Sequence, residues 1–252
     1  MPSPAGSDNH SDRKEAWRAA QKSLAGSGSV GPEERPLSKV KVAAVIPAYN
    51  ESKRIAAVLA PLRQARSVHE IFVVDDGSTD GTAQAAQNRG RVNIIRLDAN
   101  LGKGGAMWTG AQATRADVIL FLDADLIGLT TGHIAALVTP VTSGDADMAV
   151  GVFRGGRRVT DLSQILVPYI SGQRAIRRSL FLSVPGVQRA RYAIETKLTR
   201  FAKGHGLTVR YVPLRGVTHV MKEEKLGLAR GAADRARMYR DIALTLLRNG
   251  LA

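Results

Sequence analysis

Residues 40–51 read Val40-Lys-Val-Ala-Ala-Val-Ile-Pro-Ala-Tyr-Asn-Glu51, a short apolar run that ends at a proline and a polar turn. An apolar run of this length, closed by a turn signal, is typical of a buried strand in a parallel sheet. Residues 1–38 are rich in Ser, Gly, Pro and charged side chains, so we expect a flexible N-terminal extension there. The folded domain is predicted to begin at residue 39.

Beyond this run, predicted helices and strands alternate along the chain. We expect strands at residues 70–74, 92–97 and 118–122, and helices at residues 51–65, 82–90 and 104–114. Parallel strands need helical crossovers, so this order predicts a single α/β domain with a mostly parallel central sheet and helices on both faces. Functional side chains are expected at the carboxyl ends of the strands. Further along, the pattern predicts strands at residues 146–152 and 207–212 and helices at residues 162–182 and 228–247.

The composition excludes several kinds of site and of protein. The chain has no cysteine, so a disulfide framework and thiolate metal sites are excluded. A bound metal would need carboxylate or imidazole ligands. No apolar stretch approaches the roughly 18–20 residues of a membrane-spanning helix, and no secretory signal is visible. We therefore expect a cytoplasmic protein.

The formal charge of +14 is unevenly distributed along the chain. Residues 151–252 contain 20 Lys and Arg but only 6 Asp and Glu, whereas residues 1–150 contain 16 of each. One-sided positive charge attracts anionic partners such as lipid phosphates, phosphorylated metabolites or nucleic acid. Together with the amphipathic pattern at residues 228–247, it leaves peripheral contact with the inner face of a membrane open.

An acidic pair follows the fourth predicted strand. Asp123 and Asp125 stand one residue apart, directly after Ile119-Leu-Phe-Leu122. Two carboxylates at this spacing can share one Mg²⁺ or Mn²⁺, while waters and phosphate oxygens complete the coordination. Short acidic turns occur in many proteins, but the position of this one after a buried strand makes it a candidate metal site.

Two further polar turns follow predicted strands. In Asp75-Asp-Gly-Ser-Thr-Asp80, the Asp76 carboxylate can accept hydrogen bonds from a base or ribose, while the later residues can cap the next helix. The glycine-rich stretch Asn100-Leu-Gly-Lys-Gly-Gly105 offers Lys103 for contact with phosphate, although a tight turn before a helix explains it equally well. We expect both turns to meet the acidic pair at one edge of the sheet.

A resemblance to glycosyltransferase family 2, the A-type nucleotide-sugar transferases, is carried by four stretches: Ile46-Pro-Ala-Tyr-Asn-Glu51, Val74-Asp-Asp-Gly-Ser-Thr-Asp-Gly-Thr82, Asn100-Leu-Gly-Lys-Gly104 and Phe121-Leu-Asp-Ala-Asp-Leu126. The resemblance covers residues 42–128. It implies that Asp123 and Asp125 hold the metal and diphosphate, and that the nucleotide is contacted by Pro47, Ala48, Tyr49, Glu51 and Asp76. It also suggests a nucleotide-sugar-binding half, residues 39–128, and a basic acceptor-binding half, residues 129–252.

The second half is more distantly similar to the dolichol-phosphate mannosyltransferase and polyprenyl-phosphate glycosyltransferase subgroup. This similarity is carried by Ser171-Gly-Gln-Arg-Ala-Ile-Arg-Arg178, Tyr192-Ala-Ile-Glu195, and Val212-Pro213 with Lys225-Leu-Gly227. Gln173 stands where the subgroup usually has Phe.

Catalytic roles are expected for Asp125, Arg174, Glu195 and Lys225. Arg174 and Lys225 suit an anionic acceptor, although either could instead be a surface ion-pair residue. Glu195 could orient the acceptor or pair with an arginine. His219 is a candidate third metal ligand, as a histidine is in related synthases that glycosylate phosphoglycerate.

These observations predict a glycosyltransferase that uses Mg²⁺ or Mn²⁺ and a UDP- or GDP-sugar. The expected acceptor bears a phosphate: a polyprenyl phosphate or another lipid, or alternatively a soluble acceptor such as phosphoglycerate. A hydroxyl acceptor would need a general base, for which Asp161 and Glu195 are candidates. The resemblance implies inversion at the anomeric carbon, whereas relatives of the phosphoglycerate type retain the configuration.

Two other functions fit parts of the sequence. A sugar nucleotidyltransferase would share the α/β layout and the metal carboxylates, but the chain lacks that group's basic, glycine-rich loop near the first strand. A non-catalytic binder of anionic lipid or nucleic acid would explain the arginines and leave the Asp motifs without a role. For the transferase we expect no nucleic-acid partner, and the sequence leaves a homodimer open.

Overall fold

A computed structural model describes residues 40–88, 91–154 and 171–219 of the chain. The strands within these residues are β1 (Val42–Ala48), β2 (Glu70–Asp75), β3 (Asn93–Arg96), β4 (Val118–Phe121), β5 (Leu126–Ile127), β6 (Met148–Arg154), β7 (Arg174–Arg177), β8 (Val209–Arg215) and β9 (Thr218–His219). The α-helices are α1 (Ile55–Gln64), α2 (Thr82–Gln87), α3 (Lys103–Ala113), α4 (Thr131–Thr142), α5 (Arg178–Ser183) and α6 (Ile194–Gly204).

Seven of the strands form one sheet in the order β3-β2-β1-β4-β7-β6-β8. Strand β1 pairs in parallel with both β2 and β4, β2 pairs in parallel with β3, and β6 pairs in parallel with β8. Only β7 runs against its neighbours, β4 and β6. The predicted α/β fold with a mostly parallel sheet is therefore confirmed.

Helices cover both faces of the sheet. Along β1, Ala44 and Ile46 belong to the apolar cluster that includes buried residues of α1 and α4. Ala43 and Val45 belong to a second cluster, formed with buried residues of α3, α5 and α6. Successive residues of a strand point to opposite faces, so a strand covered on both sides must be apolar throughout. This explains the unbroken apolar run of β1.

The glycines of α3 let this helix approach the sheet closely. A Cβ atom on Gly110 would lie 2.4 Å from Cγ1 of Val45 and 3.1 Å from Cγ2 of Val74. No side chain fits between the helix axis and β1 at this point. The close approach fixes the height of α3 above the sheet, and with it the position of Lys103 at the start of the helix.

One predicted element is wrong within the described residues. The helix expected at residues 162–182 is replaced by an irregular segment at 171–173, the strand β7 and the short helix α5. Strand β7 lies between β4 and β6, where Ala175 and Ile176 are buried on opposite faces. A central strand is normally apolar throughout, and β7 does not show this pattern because it begins with the charged Arg174.

Strands β5 and β9 form a small antiparallel ribbon that the sequence pattern did not indicate, in which Leu126 faces His219. Among the described residues, no helix is both long enough and apolar enough to cross a bilayer. The predicted extension at residues 1–38, residues 162–170 of the segment at 162–182 and the helix at 228–247 lie outside the described residues.

Candidate active site

Polar loops follow the carboxyl ends of β1, β2 and β4, which are neighbours in the sheet. Pro47 and Ala48 are the last two residues of β1, and Tyr49, which follows them, is exposed over 46% of its surface. Glu51 is nearly buried, and its carboxylate lies 3.3 Å from Nη1 of Arg54. Four of the five residues expected to contact the nucleotide thus lie in one continuous segment at this edge, and the fifth is Asp76.

The loop after β1 is bound to the loop after β2 by reciprocal hydrogen bonds. The backbone N–H of Asn50 donates to Oγ of Ser78 and that of Glu51 donates to Oγ1 of Thr82, both at 2.9 Å. In return, the N–H of Thr79 donates to Oδ1 of Asn50 at 3.0 Å. Asn50 has φ of 56°, a left-handed conformation in which Asn is enriched among non-glycine residues. The two loops therefore form one unit.

Asp76, directly after β2, holds the turn that precedes α3. Its carboxylate oxygens accept backbone hydrogen bonds from Leu101 at 2.7 Å and from Gly102 at 2.9 Å. Burial raises the pKa of Asp76, while these two hydrogen bonds oppose the increase. The side chain is 4% exposed and fixes the turn before α3, a role that the sequence did not indicate. Its contact with a nucleotide stays a prediction.

Lys103 joins two carboxylates that come from distant parts of the chain. Its Nζ lies 2.5 Å from Oδ1 of Asp123 and 2.5 Å from Oε1 of Glu195. Burial alone would lower the pKa of Lys103, but the two carboxylates outweigh it and raise the pKa of the ammonium group. The sequence left open whether Glu195 orients the acceptor or pairs with an arginine; in the structure it pairs with Lys103 and also interacts electrostatically with Arg174. This triad lies at the edge where β4 ends.

The segment 171–173 covers the Lys103–Asp123 pair from above. Nε2 of Gln173, which is fully buried, donates to Oδ2 of Asp123 at 2.8 Å. A Cβ atom on Gly172 would lie 2.4 Å from Nζ of Lys103 and 2.6 Å from each carboxylate oxygen of Asp123. Neither residue was among the predicted site residues. The only sequence signal for Gln173 was its departure from the family pattern, which has an apolar residue there.

The ribbon of β5 and β9 relates the positions of Asp125 and His219 in the backbone. Asp125 lies in the turn immediately before β5, and His219 pairs with Leu126, the residue that follows Asp125. The side chain of His219 is outside the description, so its position relative to Asp125 stays a prediction. The sequence shows no sign of this pairing, because β5 and β9 lie far apart along the chain.

The residues present fit a hard divalent cation. Asp123 and Asp125 offer carboxylate oxygens, the ligands that Mg²⁺ and Mn²⁺ prefer, and Asp123 already binds a positive group in the ammonium of Lys103. Within the described side chains, no cluster of three or more Asp, Glu, His or Cys residues is arranged to hold a metal. Phosphate oxygens and His219 would have to complete the coordination.

Arg174 lies beneath the site and has no exposed surface. Its Nε donates to the carbonyl oxygen of Ser171 at 2.9 Å, and Nη1 donates to Oγ1 of Thr199 at 3.0 Å. Burial lowers the pKa of Arg174 to about 10, although Glu195, Tyr211 and Asp123 partly offset this effect. Arg174 thus ties the start of β7 to α6, which carries Glu195, and its contact with an acceptor stays a prediction. Lys225 and Asp161 lie outside the described residues.

Comparisons with known proteins assign the chain to a family. The model of the family described as Glycosyl transferase family 2 matches residues 43–200. A glucosyl-3-phosphoglycerate synthase of Mycobacterium tuberculosis is 29% identical over 206 residues, which are 72% of this chain and 62% of that protein. The chain therefore spans less than two thirds of the length of this relative.

A solved structure and a lipid-related enzyme extend the comparison. The crystal structure of the synthase from Mycobacterium tuberculosis with Mn²⁺, UDP-glucose and phosphoglyceric acid matches with a TM-score of 0.61 and 27% identity, over 73% of either chain. A dolichyl-phosphate beta-glucosyltransferase of Trichomonas vaginalis is 39% identical over 101 residues, which are 35% of this chain and 30% of that protein. The family resemblance seen in the sequence is confirmed.

Proposed function

Because the chain belongs to glycosyl transferase family 2, we propose that it transfers a hexosyl group from UDP-glucose, or a similar UDP- or GDP-sugar, to a phosphate-bearing acceptor. A divalent cation, Mn²⁺ or Mg²⁺, is required. The observation that carries this proposal is the triad of Asp123, Lys103 and Glu195, in which the donor half and the acceptor half meet at the carboxyl edge of the sheet. A nucleotidyltransferase and a non-catalytic binder are set aside, since the family match is to glycosyltransferases.

The donor would be held by the fixed loops at this edge. The segment from Pro47 to Glu51 and the turn at Asp75–Asp80 are hydrogen-bonded into one unit, so they offer a preorganised surface to the nucleotide. Asp123 and Asp125, with His219, would hold the cation. A bound divalent cation supplies positive charge that stabilises the diphosphate as it leaves. Lys103 would add a second positive charge on the same side.

The acceptor hydroxyl would be activated by Glu195. Its carboxylate is paired with Lys103, which fixes the position of that carboxylate at the edge where β4 ends. A carboxylate within hydrogen-bond reach of a hydroxyl serves as a general base. Arg174, fixed between Ser171 and Thr199, would set the position of α6 and therefore of Glu195. Asp161 is the other candidate base, and Lys225 a candidate contact for the acceptor phosphate.

A small soluble acceptor such as phosphoglycerate is the first candidate. The synthase that acts on 3-phosphoglycerate aligns with 72% of this chain, whereas the dolichyl-phosphate enzyme aligns with 35%. An alignment of this length extends beyond the donor-binding motifs and includes part of the half that is expected to bind the acceptor. The similarity therefore favours an acceptor like that of the synthase.

A lipid-linked phosphate is the second candidate, favoured by the basic second half. Residues 171–219 contain ten Lys and Arg and a single acidic residue, Glu195. Such a surface attracts anionic lipid headgroups as well as soluble phosphates. Peripheral contact with a membrane belongs to this alternative.

The test is a transfer assay with both acceptors. The protein is incubated with Mn²⁺ and radiolabelled UDP-glucose or GDP-mannose, together with 3-phosphoglycerate or with polyprenyl phosphate in detergent. Butanol extraction then separates lipid-linked from water-soluble label. We expect label in an anionic water-soluble product that forms only with 3-phosphoglycerate, and the anomeric configuration of that product gives the stereochemistry.

Two aspartate variants serve as test and control. Asp125→Ala should abolish transfer and its dependence on Mn²⁺. Asp145→Ala should retain both, because Asp145 is exposed and lies before β6, at the opposite edge of the sheet. A labelled product that is found only in the butanol phase would mean that the acceptor is the lipid and not the soluble phosphate. Full activity of Asp125→Ala would overturn the proposed function itself.

A further inference from the structure

Lys103 contacts a carboxylate, that of Asp123, which is also a candidate ligand of the metal. Its Nζ is equally distant, at 2.5 Å, from Oδ1 of Asp123 and from Oε1 of Glu195. The side chains of Lys103 and Asp123 are each 19% exposed and that of Glu195 is 10% exposed, so all three are largely shielded from water. In such surroundings charges interact more strongly than at an open surface.

The two carboxylates need a cation between them. Asp123 follows β4, and Glu195 lies in the first turn of α6, in the other half of the domain. Two like charges held close together in a shielded site repel each other. The ammonium group of Lys103 removes this repulsion and connects the start of α3 with both carboxylates.

We infer that Lys103 is a built-in counter-cation, which a divalent cation must displace from Oδ1 of Asp123 before it can bind there. The inference rests on the proposed function in assigning Asp123 to the metal. Oδ2 of Asp123 accepts a hydrogen bond from Gln173 at 2.8 Å, so Oδ1 is the oxygen at which Lys103 and the metal compete.

A purely structural ion pair makes the opposite prediction for metal affinity. If Lys103 only tied α3 to α6, its removal would loosen the site and weaken metal binding. If Lys103 competes with the metal, its removal takes a positive charge away from Asp123 and strengthens metal binding. The affinity for the metal alone, without nucleotide, therefore separates the two roles.

The experiment measures Mn²⁺ binding to protein that has been treated with a chelator and freed of nucleotide. Isothermal titration calorimetry, or the loss of the free Mn²⁺ signal in electron paramagnetic resonance, gives the Kd. We expect Lys103→Met to bind Mn²⁺ roughly tenfold more tightly than the unmodified chain, because a positive charge next to the ligand has been removed. Lys203→Met is the matched control: it removes the same charge from an exposed position at the end of α6 and should leave the Kd unchanged.

The outcomes separate this inference from the proposed function. An unchanged or weaker Mn²⁺ affinity in a folded Lys103→Met chain, checked by circular dichroism, overturns the inference. If that variant does not fold, Lys103→Gln keeps a hydrogen-bond donor for Asp123 and should show the same gain. The measurement uses neither sugar donor nor acceptor, so a failed transfer assay would leave its result intact. Conversely, transfer activity with no gain in Mn²⁺ affinity would leave the proposed function standing without the competition.

Discussion

Gly172 leaves no room for a side chain above the ion pair of Lys103 and Asp123. Its backbone lies over the ion pair of Lys103 and Asp123, and even a methyl group there would come within 2.6 Å of three charged atoms. These atoms are the ends of side chains, so they can move aside without disturbing the backbone. A larger residue at position 172 should therefore displace the ion pair and leave the fold intact.

We predict that Gly172→Ala melts at nearly the same temperature as the unmodified chain, but loses transfer activity. A displacement of about 1 Å in a catalytic constellation can cost roughly 100-fold in rate. The kcat/KM for the sugar donor, measured by release of UDP, should fall by about that order. Gly132→Ala is the control, since its added Cβ would meet only Oγ1 of Thr130, at 3.7 Å. Unchanged kcat/KM in Gly172→Ala would show that the ion pair tolerates displacement.

At the scale of single residues, the sequence identified the charged residues of the candidate site but not the uncharged residues that contact them. Asp123, Lys103 and Glu195 were all candidates, because unusual residue types at strand or helix ends are visible in the sequence. Gln173 and Gly172 were not, since their roles depend on which segment passes above Asp123. That segment approaches Asp123 only through the pairing of β7 with β4, a long-range contact that leaves no local pattern.

At the scale of elements, the acidic turn between β2 and α2 is held by Asp80. Its Oδ1 accepts hydrogen bonds from the backbone N–H of Thr82, at 3.1 Å, and from the hydroxyl of Thr82. Its Oδ2 accepts one from the N–H of Ser52 at 3.0 Å, so Asp80 also fixes the loop after β1. Desolvation would raise the pKa of Asp80, but the hydrogen bonds from Thr82 and Ser52 outweigh it, and the pKa is lowered.

We predict that Asp80→Ala lowers the free energy of unfolding by about 1 kcal/mol at neutral pH, as the loss of a helix-capping side chain commonly does. Because the pKa of Asp80 is lower in the folded state, its charge contributes stability above the ordinary value of 3.8. This contribution is lost as the pH falls through the folded-state pKa. Urea unfolding at pH 7 and at about pH 3 should show the difference between the two chains shrinking.

Asp80→Asn is the matched control for this pH dependence. It keeps an acceptor oxygen and carries no charge at either pH, so its difference from Asp80→Ala should not change between the two conditions. If the difference between the unmodified chain and Asp80→Ala were the same at both pH values, the charge of Asp80 would contribute nothing to the joined loops.

The first four strands of the large sheet and the helices between them could be predicted because each has a complete local pattern. The apolar runs of β1, β2 and β4 are buried on both faces, and a polar turn marks the end of each. Strand β7 could not be predicted, since it begins with Arg174 and ends with Arg177, which leaves only two apolar residues between them. Its direction is also set by its two neighbours rather than by its own residues.

At the scale of the whole molecule, one sheet passes through both proposed halves. Strand β4, from the donor half, pairs with β7, from the acceptor half, along Val118↔Arg177 to Phe121↔Arg174. The ion pair of Lys103 and Glu195 joins the same halves at the edge of the sheet. As far as the described residues extend, the predicted division at residues 128 and 129 therefore falls within one sheet, and the assignment of a separate function to each half stays a prediction.

We accordingly predict that the chain unfolds in a single transition, and that UDP with Mn²⁺ moves the whole transition. A ligand present at about 100 times its Kd adds about 2.7 kcal/mol to the free energy of unfolding. For a chain of this size that corresponds to an increase in Tm of about 5–10 °C. Differential scanning calorimetry should show one peak, with equal calorimetric and van't Hoff enthalpies, both with and without the ligands. Asp125→Ala should melt in one transition too, but without the part of the shift that depends on Mn²⁺. Two separate peaks, of which UDP and Mn²⁺ move only one, would mean that the halves fold independently despite the strand pairing that joins them.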